Sequence, residues 1–599
     1  MEVTRIFDLL PHYSSKFLPK NDVLAFKENG AWKKYSLAQY IEAADNISYG
    51  LLALGVKAGD KIATLMNNRP EWNFLDMGIM QVGAIHVPIY PTISESDYLT
   101  ILNHAEVSYI FIAGEELYRK IEHILPNIPS VKEVYSIKPL NDNKQLADLI
   151  SLGKSQPQPD KLAEIKASIQ TNDLATLIYT SGTTGTPKGV MLSHQNIVSN
   201  FIGVSYIPKF GQEGKALSFL PLCHIYERVI NYIYQYLGIS VYYAESLATI
   251  TDNIREIKPD MMCCVPRLLE KIYEKILSTG RKQKGFKRMV FFWALNLALR
   301  FEPGGRNGWY YMQKLRLADK LVLSKWRAAL GGNFKIIVSG GAAIQPRLLR
   351  VFWAAGLPVF EGYGLTETSP VIATTSYDEN GLKVGTVGFP LKGLSVKIAD
   401  DGEILCKGPN VMLGYYKEPK LTREVIDEDG YFHTGDIGHI EPQGQLRITG
   451  RKKEIFKTSL GKYIAPDLIE NKFKESPFID NLMVMGENQK FAGALIVPDF
   501  NHLRSWCKIK DIEYSTDQEM ITFPRIKKRF LKEVLKYNKH LGATEQIKKF
   551  ELLDAEWTVA GGELSPTLKL KRKFICKKHR DVANRLFDTE EELCNNTNA

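Results

Sequence analysis

The chain has 599 residues, too many for one core, and its 44% hydrophobic and 24% charged residues are those of an ordinary globular protein of two to four folding units. Lys and Arg number 77 against 67 Asp and Glu, a net +10 that suits handling of nucleotides or rest on an anionic membrane and is too modest to argue for nucleic acid. Seven cysteines without a C-x-x-C spacing argue against a disulfide framework or zinc site and for buried free thiols, and with no signal-peptide order and no apolar run near ~18–20 residues the expectation is a cytoplasmic chain.

In chain order, residues 61–66 read as a strand, 71–83 as a helix and 84–89 as a strand, an alternation that predicts βαβ units and a largely parallel sheet. Residues 141–171, with Gln156-Pro-Gln-Pro159, read as an exposed connection. Residues 174–179 form an apolar strand, and a second α/β run places a strand at 335–338, a loop at Gly340-Gly-Ala342, a helix at 346–355 and a strand at 357–360 ending in a glycine-rich loop. Beyond Gly450 the texture turns lysine-rich, with short helical patterns such as 525–537, so a boundary is placed between 1–450 and 451–599. The tail 588–599 is expected to fray.

The strongest signal is Tyr179-Thr-Ser-Gly-Thr-Thr-Gly-Thr-Pro-Lys-Gly189. Its small residues let backbone N–H groups approach a polyphosphate, its hydroxyls add donors and Lys188 adds charge. Thr180, Ser181, Gly182, Thr183, Thr184, Gly185 and Lys188 are the candidate phosphate contacts. A plain surface turn needs fewer glycines and no lysine, and the spacing is not that of a Walker loop, which disfavours an ordinary P-loop ATPase or kinase.

Six motifs in fixed order accompany it: Pro221-Leu-Cys-His224-Ile-Tyr-Glu-Arg228, Gly340-Gly-Ala342, Glu361-Gly-Tyr-Gly-Leu-Thr-Glu367-Thr, Tyr431-Phe-His-Thr-Gly-Asp436, Ile448-Thr-Gly-Arg451 and Ser565-Pro-Thr-Leu-Lys569. Over residues 20–575 the chain thereby resembles the adenylate-forming superfamily of acyl-CoA ligases, luciferases and peptide-synthetase adenylation domains. The resemblance implies an α/β fold: a large N-terminal domain of stacked α/β subdomains plus a β-subdomain, then a small mobile α+β C-terminal domain.

It also implies roles. Glu367, at the end of a glycine loop after a strand, would hold Mg²⁺ with the Thr180 hydroxyl. His224 would line the acyl and α-phosphate site. Gly341, Ala342, Gly362, Tyr363, Gly364 and Thr366 would enclose adenine, and Asp436 and Arg451 would meet the ribose. Lys569 would bring positive charge to the reacting carboxylate and α-phosphate. The family pattern has Gly before that lysine where this chain has Leu568, which leaves Lys571 as a rival. Lys453 matches the pivot about which the C-terminal domain turns, and 459–463 the loop that then lines the CoA channel.

Further details resemble the long-chain fatty acid–CoA ligases: Val265-Pro-Arg-Leu-Leu-Glu-Lys-Ile272, an insertion at 278–330, Ser459-Leu-Gly-Lys-Tyr-Ile-Ala-Pro466 and Pro566-Thr-Leu-Lys-Leu-Lys-Arg572. Fatty acid, ATP and CoA are the implied substrates. Within the insertion, 286–301 is apolar nearly all round with basic ends, which fits a helix lining the acyl tunnel or one lying on a membrane surface. Two other functions stay open: a fatty acyl-AMP ligase serving a carrier protein, and a fatty-acid-trapping uptake protein with a vestigial ATP site.

Overall fold

The computed structural model describes residues 2–588 apart from 141–142, 182–186, 247, 379 and 566–568. The chain divides into two compact units. The larger comprises Met1–Lys397, Leu405–Thr434 and Glu441–Leu446; the smaller comprises Ile398–Ile404, Gly435–Ile440 and Arg447–Ala599.

Two sheets organise the larger unit. In the seven-stranded sheet, strands Lys61–Leu65, Ile85–Ile89, Val107–Ile112 and Glu133–Ser136 run parallel. Their near-continuous apolar composition is that of strands covered on both faces. At its far side Leu174–Ser181 and Pro187–Ser193 form an antiparallel hairpin, with Thr180 opposite Lys188. In the nine-stranded sheet the central strands Lys215–Ser218, Met261–Cys264, Ile336–Ser339 and Val359–Gly364 are parallel neighbours. Helix Ile225–Tyr236 joins the two packing systems through a buried polar network. The Arg228 guanidinium donates to Asp76 (2.5 Å) and Thr176 (2.7 Å), while Tyr232 and His86 bind the same aspartate. Desolvation pushes the Asp76 carboxyl up, but Arg228, His86 and Tyr232 outweigh it and hold the acid ionised. Arg228, part of the Leu-Cys-His-Ile-Tyr-Glu-Arg run, is therefore a structural cation.

The smaller unit is built on strands Ile479–Met485, Ala492–Pro498 and Ile547–Leu552, covered by helices Pro466–Phe473 and Pro524–Asn538. Its own core includes Phe473, Leu482, Ile496, Phe530 and Val534.

Four expectations change. Residues 141–171 are not an exposed connection: they hold helices Leu146–Ser155 and Pro159–Ser168, with Leu146, Leu149 and Leu162 buried. The first helix lies so close to Leu37–Ala53 that a Cβ on Gly153 would stand 1.9 Å from the Asn46 carbonyl oxygen. The run Glu361-Gly-Tyr-Gly is strand rather than loop, because it pairs antiparallel with Val371–Thr374. Cys576 is exposed while Cys223, Cys263, Cys264, Cys406 and Cys507 are buried; Cys594 lies outside the described residues. The apolar helix of the insertion, Gly285–Ala298, buries only one side, through Phe291, Ala294, Leu295 and Ala298. The tail from residue 589 also lies outside the described residues.

Candidate active site

The carboxyl ends of the central parallel strands open on one edge of the nine-stranded sheet, the usual ligand edge of such sheets. After Lys215–Ser218 the chain turns through Pro221-Leu-Cys-His224. Asn68 fixes that turn by donating to the Leu220 carbonyl (2.6 Å) and accepting from the Leu222 N–H (2.9 Å). His224 caps helix Ile225–Tyr236, its Nδ1 accepting the Tyr226 N–H at 3.1 Å, and Tyr90 meets its ring edge-on. Tyr226 packs on Gly340, where a Cβ would fall 2.9 Å from the ring, and its hydroxyl donates to the Val338 carbonyl. The histidine is thus anchored beside the loop after Ile336–Ser339, in which Gly341 adopts φ +80°, a conformation natural to glycine.

Tyr363 is buried on the next strand. Gly364, two residues before Thr366, must be glycine because a Cβ would reach within 1.7 Å of the Pro370 carbonyl oxygen. Beneath this loop the Glu361 carboxyl is buried, and desolvation pushes it up to about 8, partly offset by the N–H of Ile344. Glu361 therefore ties the Gly340–Ala342 loop to the strand that carries Tyr363.

Glu367 lies in the short turn Thr366–Thr368. Two asparagine amides hold that turn: Asn200 donates to the Val371 carbonyl (2.7 Å) and Asn410 to the Thr368 carbonyl (3.0 Å). The Met412 N–H donates to the Glu367 carbonyl at 2.9 Å. Tyr415 then donates its hydroxyl to Glu367 Oε1 at 2.8 Å, and the Lys188 ammonium lies 5.6 Å from the centre of the Tyr415 ring. Strand Gly414–Tyr415 pairs with Pro187–Ser193, which carries Lys188 opposite Thr180. Two sequence-predicted residues, Lys188 and Glu367, thereby meet one tyrosine that sequence reasoning missed, with Thr180 paired to Lys188 on the next strand. The signal for it was slight, an aromatic pair after a glycine in Gly414-Tyr-Tyr416. Gly182, Thr183, Thr184 and Gly185, with the Ser181 side chain, lie outside what is described.

The donor set suits Mg²⁺. One Glu367 oxygen is engaged by Tyr415, and no cluster of three acidic, His or Cys side chains surrounds it among the described residues. A small cation that keeps waters and phosphate oxygens needs no such cluster.

The smaller unit carries the other predicted residues. Asp436 is buried and its Oδ1 lies 3.1 Å from Arg451 Nε. Beside it the Gly435 N–H donates to Glu403, which also pairs with Lys452 at 2.8 Å. Lys453 is exposed at the apex of the turn that follows Arg451. The Ser565 N–H donates to the Lys569 carbonyl and the Lys569 N–H to Ser565 Oγ. Desolvation by surrounding protein and then the charge of Arg451 lower the Lys569 pKa, against the pull of Asp436, Asp467 and Glu454. The Lys569 side chain itself is exposed. Lys571 instead sets its ammonium 5.9 Å from the Phe574 ring centre. Arg572 anchors the segment, bonding Glu454, Asp467 and Glu470 at 2.8–3.1 Å.

The hairpin that carries Lys188, the glycines at the strand edge and the held Glu367 carboxylate form one candidate enzyme site. The architecture is that of solved adenylate-forming proteins. An anthranilate CoA ligase in complex with anthranoyl-AMP matches with TM-score 0.72 at 17% identity, covering 98% of this chain and all of that one. The adenylation domain of a carboxylate reductase from Mycobacterium chelonae matches with TM-score 0.76 at 21% identity, covering 98% and 91%. Residues 17–416 match the AMP-binding enzyme family, and the chain belongs to it. Among relatives, the long-chain-fatty-acid–CoA ligase FadD15 of Mycobacterium bovis is 34% identical over 94% of each chain. The human long-chain-fatty-acid–CoA ligase 6 is 33% identical over 90% of this chain and 80% of its own.

Proposed function

We infer that the protein is a long-chain fatty acid–CoA ligase. It joins a fatty acid to ATP as acyl-AMP with release of pyrophosphate, then transfers the acyl group to CoA with release of AMP. The observation that carries this reading is the grouping of Glu367, Tyr415, Lys188 and Thr180 beside the phosphate hairpin, in a chain that matches named long-chain ligases almost end to end.

Joining a carboxylate to ATP brings two anions together, so catalysis requires donors and cations where charge builds. Lys188 and the hairpin N–H groups hold the outer phosphates. Glu367 and Thr180 would hold Mg²⁺, which when bound would neutralise phosphate charge. His224 lines the acyl and α-phosphate space; Gly341, Ala342, Gly362, Tyr363, Gly364 and Thr366 enclose adenine; Asp436 and Arg451 take the ribose. Lys569 is the catalytic cation, favoured over Lys571 because it responds to Arg451 and Asp436 while Lys571 faces Phe574. The division of labour follows 1–450 for ATP and acyl binding and 451–599 for the catalytic lysine. Lys453 is the pivot between the two half-reactions. Free CoA is favoured as acceptor by a groove of about 400 Å³ in the smaller unit, lined by Lys462, Lys490, Lys548 and Lys549 with Thr458 and Phe491. Its charge suits a phosphorylated nucleotide. Fatty acids partition into bilayers, so the acid is collected from a membrane surface by peripheral contact.

Incubation with ATP, CoA and a panel of fatty acids tests the reading, with AMP and acyl-CoA expected together. AMP without loss of CoA would point to a carrier-dependent acyl-AMP ligase, and no nucleotide turnover to a trapping protein.

A further inference from the structure

The net charge of this protein resides in one place. Residues 278–330 contain twelve Lys and Arg against two acids, Glu302 and Asp319, an excess of ten equal to that of the whole chain; the remaining residues balance at 65 against 65. Both acids are already committed, Glu302 to Arg350 and Asp319 to Arg327.

The same stretch exposes apolar surface. Phe286, Met289, Trp309, Tyr310, Leu317 and Leu321 are each 45–75% exposed, six of the fourteen large apolar side chains so exposed among the described residues. They fall on two packed helices with ordered inner faces. Helix Gly285–Ala298 buries Phe291, Ala294, Leu295 and Ala298, and helix Trp309–Ala318 buries Leu315 and Ala318. The Tyr311 hydroxyl donates to the Leu297 carbonyl, so the second helix starts where the first ends and returns along it. On the first helix, Phe286, Met289 and Trp293 recur at helical spacing, among Lys284, Lys287 and Arg288. Along the second and the helical segment Asp319–Leu323 that continues it, Tyr310, Lys314, Leu317 and Leu321 form a stripe, with Lys314 stacked 4.1 Å from the Tyr310 ring centre. A core or tunnel role accounts for the inner faces and leaves the outer ones unexplained.

We propose that these two helices form a docking surface for an anionic lipid bilayer. Aromatic and aliphatic side chains enter the headgroup region, where Trp and Tyr are favoured, while the surrounding Lys and Arg meet lipid phosphates. Charge complementarity selects this partner, because a face that sets Lys284, Lys287, Arg288 and Lys314 among exposed aromatics, in a segment with an excess of ten positive charges, repels a second copy of itself. The proposal deepens the reading of collection from a membrane by naming the surface and the lipid class.

The test is co-sedimentation of the full chain with phosphatidylcholine vesicles, with and without roughly one-third phosphatidylglycerol, in the absence of ATP, CoA and fatty acid. Binding to the anionic vesicles is expected to exceed that to neutral ones at least ~10-fold and to be lost in about 0.5 M salt. The charge variant K284Q/K287Q/R288Q/K314Q and the apolar variant F286S/W309S should each weaken it ~10-fold or more. Both should keep parental turnover of a detergent-dispersed fatty acid, which shows that they fold and separates this proposal from the ligase reading. Equal binding to neutral and anionic vesicles, no binding to either, or undiminished binding by both variants would overturn it. So would self-association in sedimentation velocity that F286S/W309S abolishes, which would make a second copy the occupant.

Discussion

Glu227 and Glu361 are carboxyls sealed from water in the larger unit, and burial pushes each up to about 8. The two oxygens of Glu227 have no hydrogen-bond partner among the described residues, and the nearby Ser218 hydroxyl only partly offsets the desolvation. Such a group is neutral in the folded chain at pH 7 and ionised in the unfolded one. The folded state therefore binds the extra proton, and the group's contribution to stability falls as pH rises from the ordinary carboxylate value towards about 8. Glu227→Gln removes that dependence. Its melting temperature relative to the parent should climb between about pH 5 and pH 8, and a difference flat with pH would mean that the carboxyl is ionised in place. Tyr415→Phe acts on the site itself. It deletes a hydrogen bond to a carboxylate, an interaction worth ~1.5–3 kcal/mol, so Glu367 loses its orientation and apparent Mg²⁺ affinity should fall ~10-fold or more with the melting temperature nearly unchanged. Glu367→Gln should all but abolish pyrophosphate release at every Mg²⁺ concentration; full rescue by excess Mg²⁺ would show that another group carries the metal. Glu367 could be read from its motif. Tyr415 could not, because its place depends on a two-residue strand, 48 positions after Glu367, pairing with the hairpin.

At the scale of elements, helices and strands with strong periodicity were legible, and those decided by tertiary contact were not. The helix at Pro70–Gln81 and the parallel strands around it follow from apolar patterning and Pro at the first turn. Helix Leu146–Ser155 was masked by the polar and proline-rich residues that follow it, and its place is set by burial of Leu146 and Leu149 and by close approach of Gly153 to a helix a hundred residues earlier. The Lys569 segment is a further case, since the sequence shows a run of basic residues and the structure shows which of them is an anchor. Arg572 reaches Glu454, Asp467 and Glu470, and joins the helix after Lys569 to the turn after Arg451. The Glu470 carboxyl is buried and desolvation pushes it up against the pull of Arg572. Arg572→Met strands that carboxyl, and breaking such a pair costs about 3–5 kcal/mol. The melting of the smaller unit should drop markedly, and adenylation should fall with it. Arg572→Met combined with Glu470→Gln should recover much of the melting temperature, because the buried charge is gone. Recovery of stability without recovery of adenylation would identify Arg572 as a positioning residue for Lys569, and unchanged melting in the single variant would show that the cluster is solvated.

At the scale of the molecule, the residues proposed for one chemistry are distributed between two units. His224, Lys188, Tyr363 and Glu367 belong to the larger, and Asp436, Arg451, Lys453 and Lys569 to the smaller. The change of texture near Gly450 suggests a boundary there, whereas nothing in the sequence marks the short segments Ile398–Ile404 and Gly435–Ile440 that join the smaller unit, because ion pairs such as Lys452 with Asp401 and Glu403 link residues about fifty positions apart. Two half-reactions make opposite demands on such an arrangement. In the proposed mechanism adenylation needs the Lys569 ammonium at the α-phosphate, and thiol attack needs the same space open for sulfur. Lys569→Ala should therefore cut acyl-AMP formation by ~10²–10³ while leaving the conversion of supplied acyl-AMP and CoA to thioester largely intact. Lys453 offers the complementary change. It lies exposed in the turn after Arg451, whose carbonyl accepts the N–H groups of Glu454 and Ile455 rather than that of Lys453. Proline there removes no backbone hydrogen bond among the described residues and restricts φ to near −65°. Lys453→Pro should then spare adenylation and slow thioester formation, the mirror image of Lys569→Ala. The measurement is each half-reaction assayed alone in both variants, by pyrophosphate release for the first and by thioester formed from synthetic acyl-AMP for the second. A crossed pattern of losses is expected. Equal loss of both halves in both variants would assign the two lysines to one fixed site and remove the case for alternation.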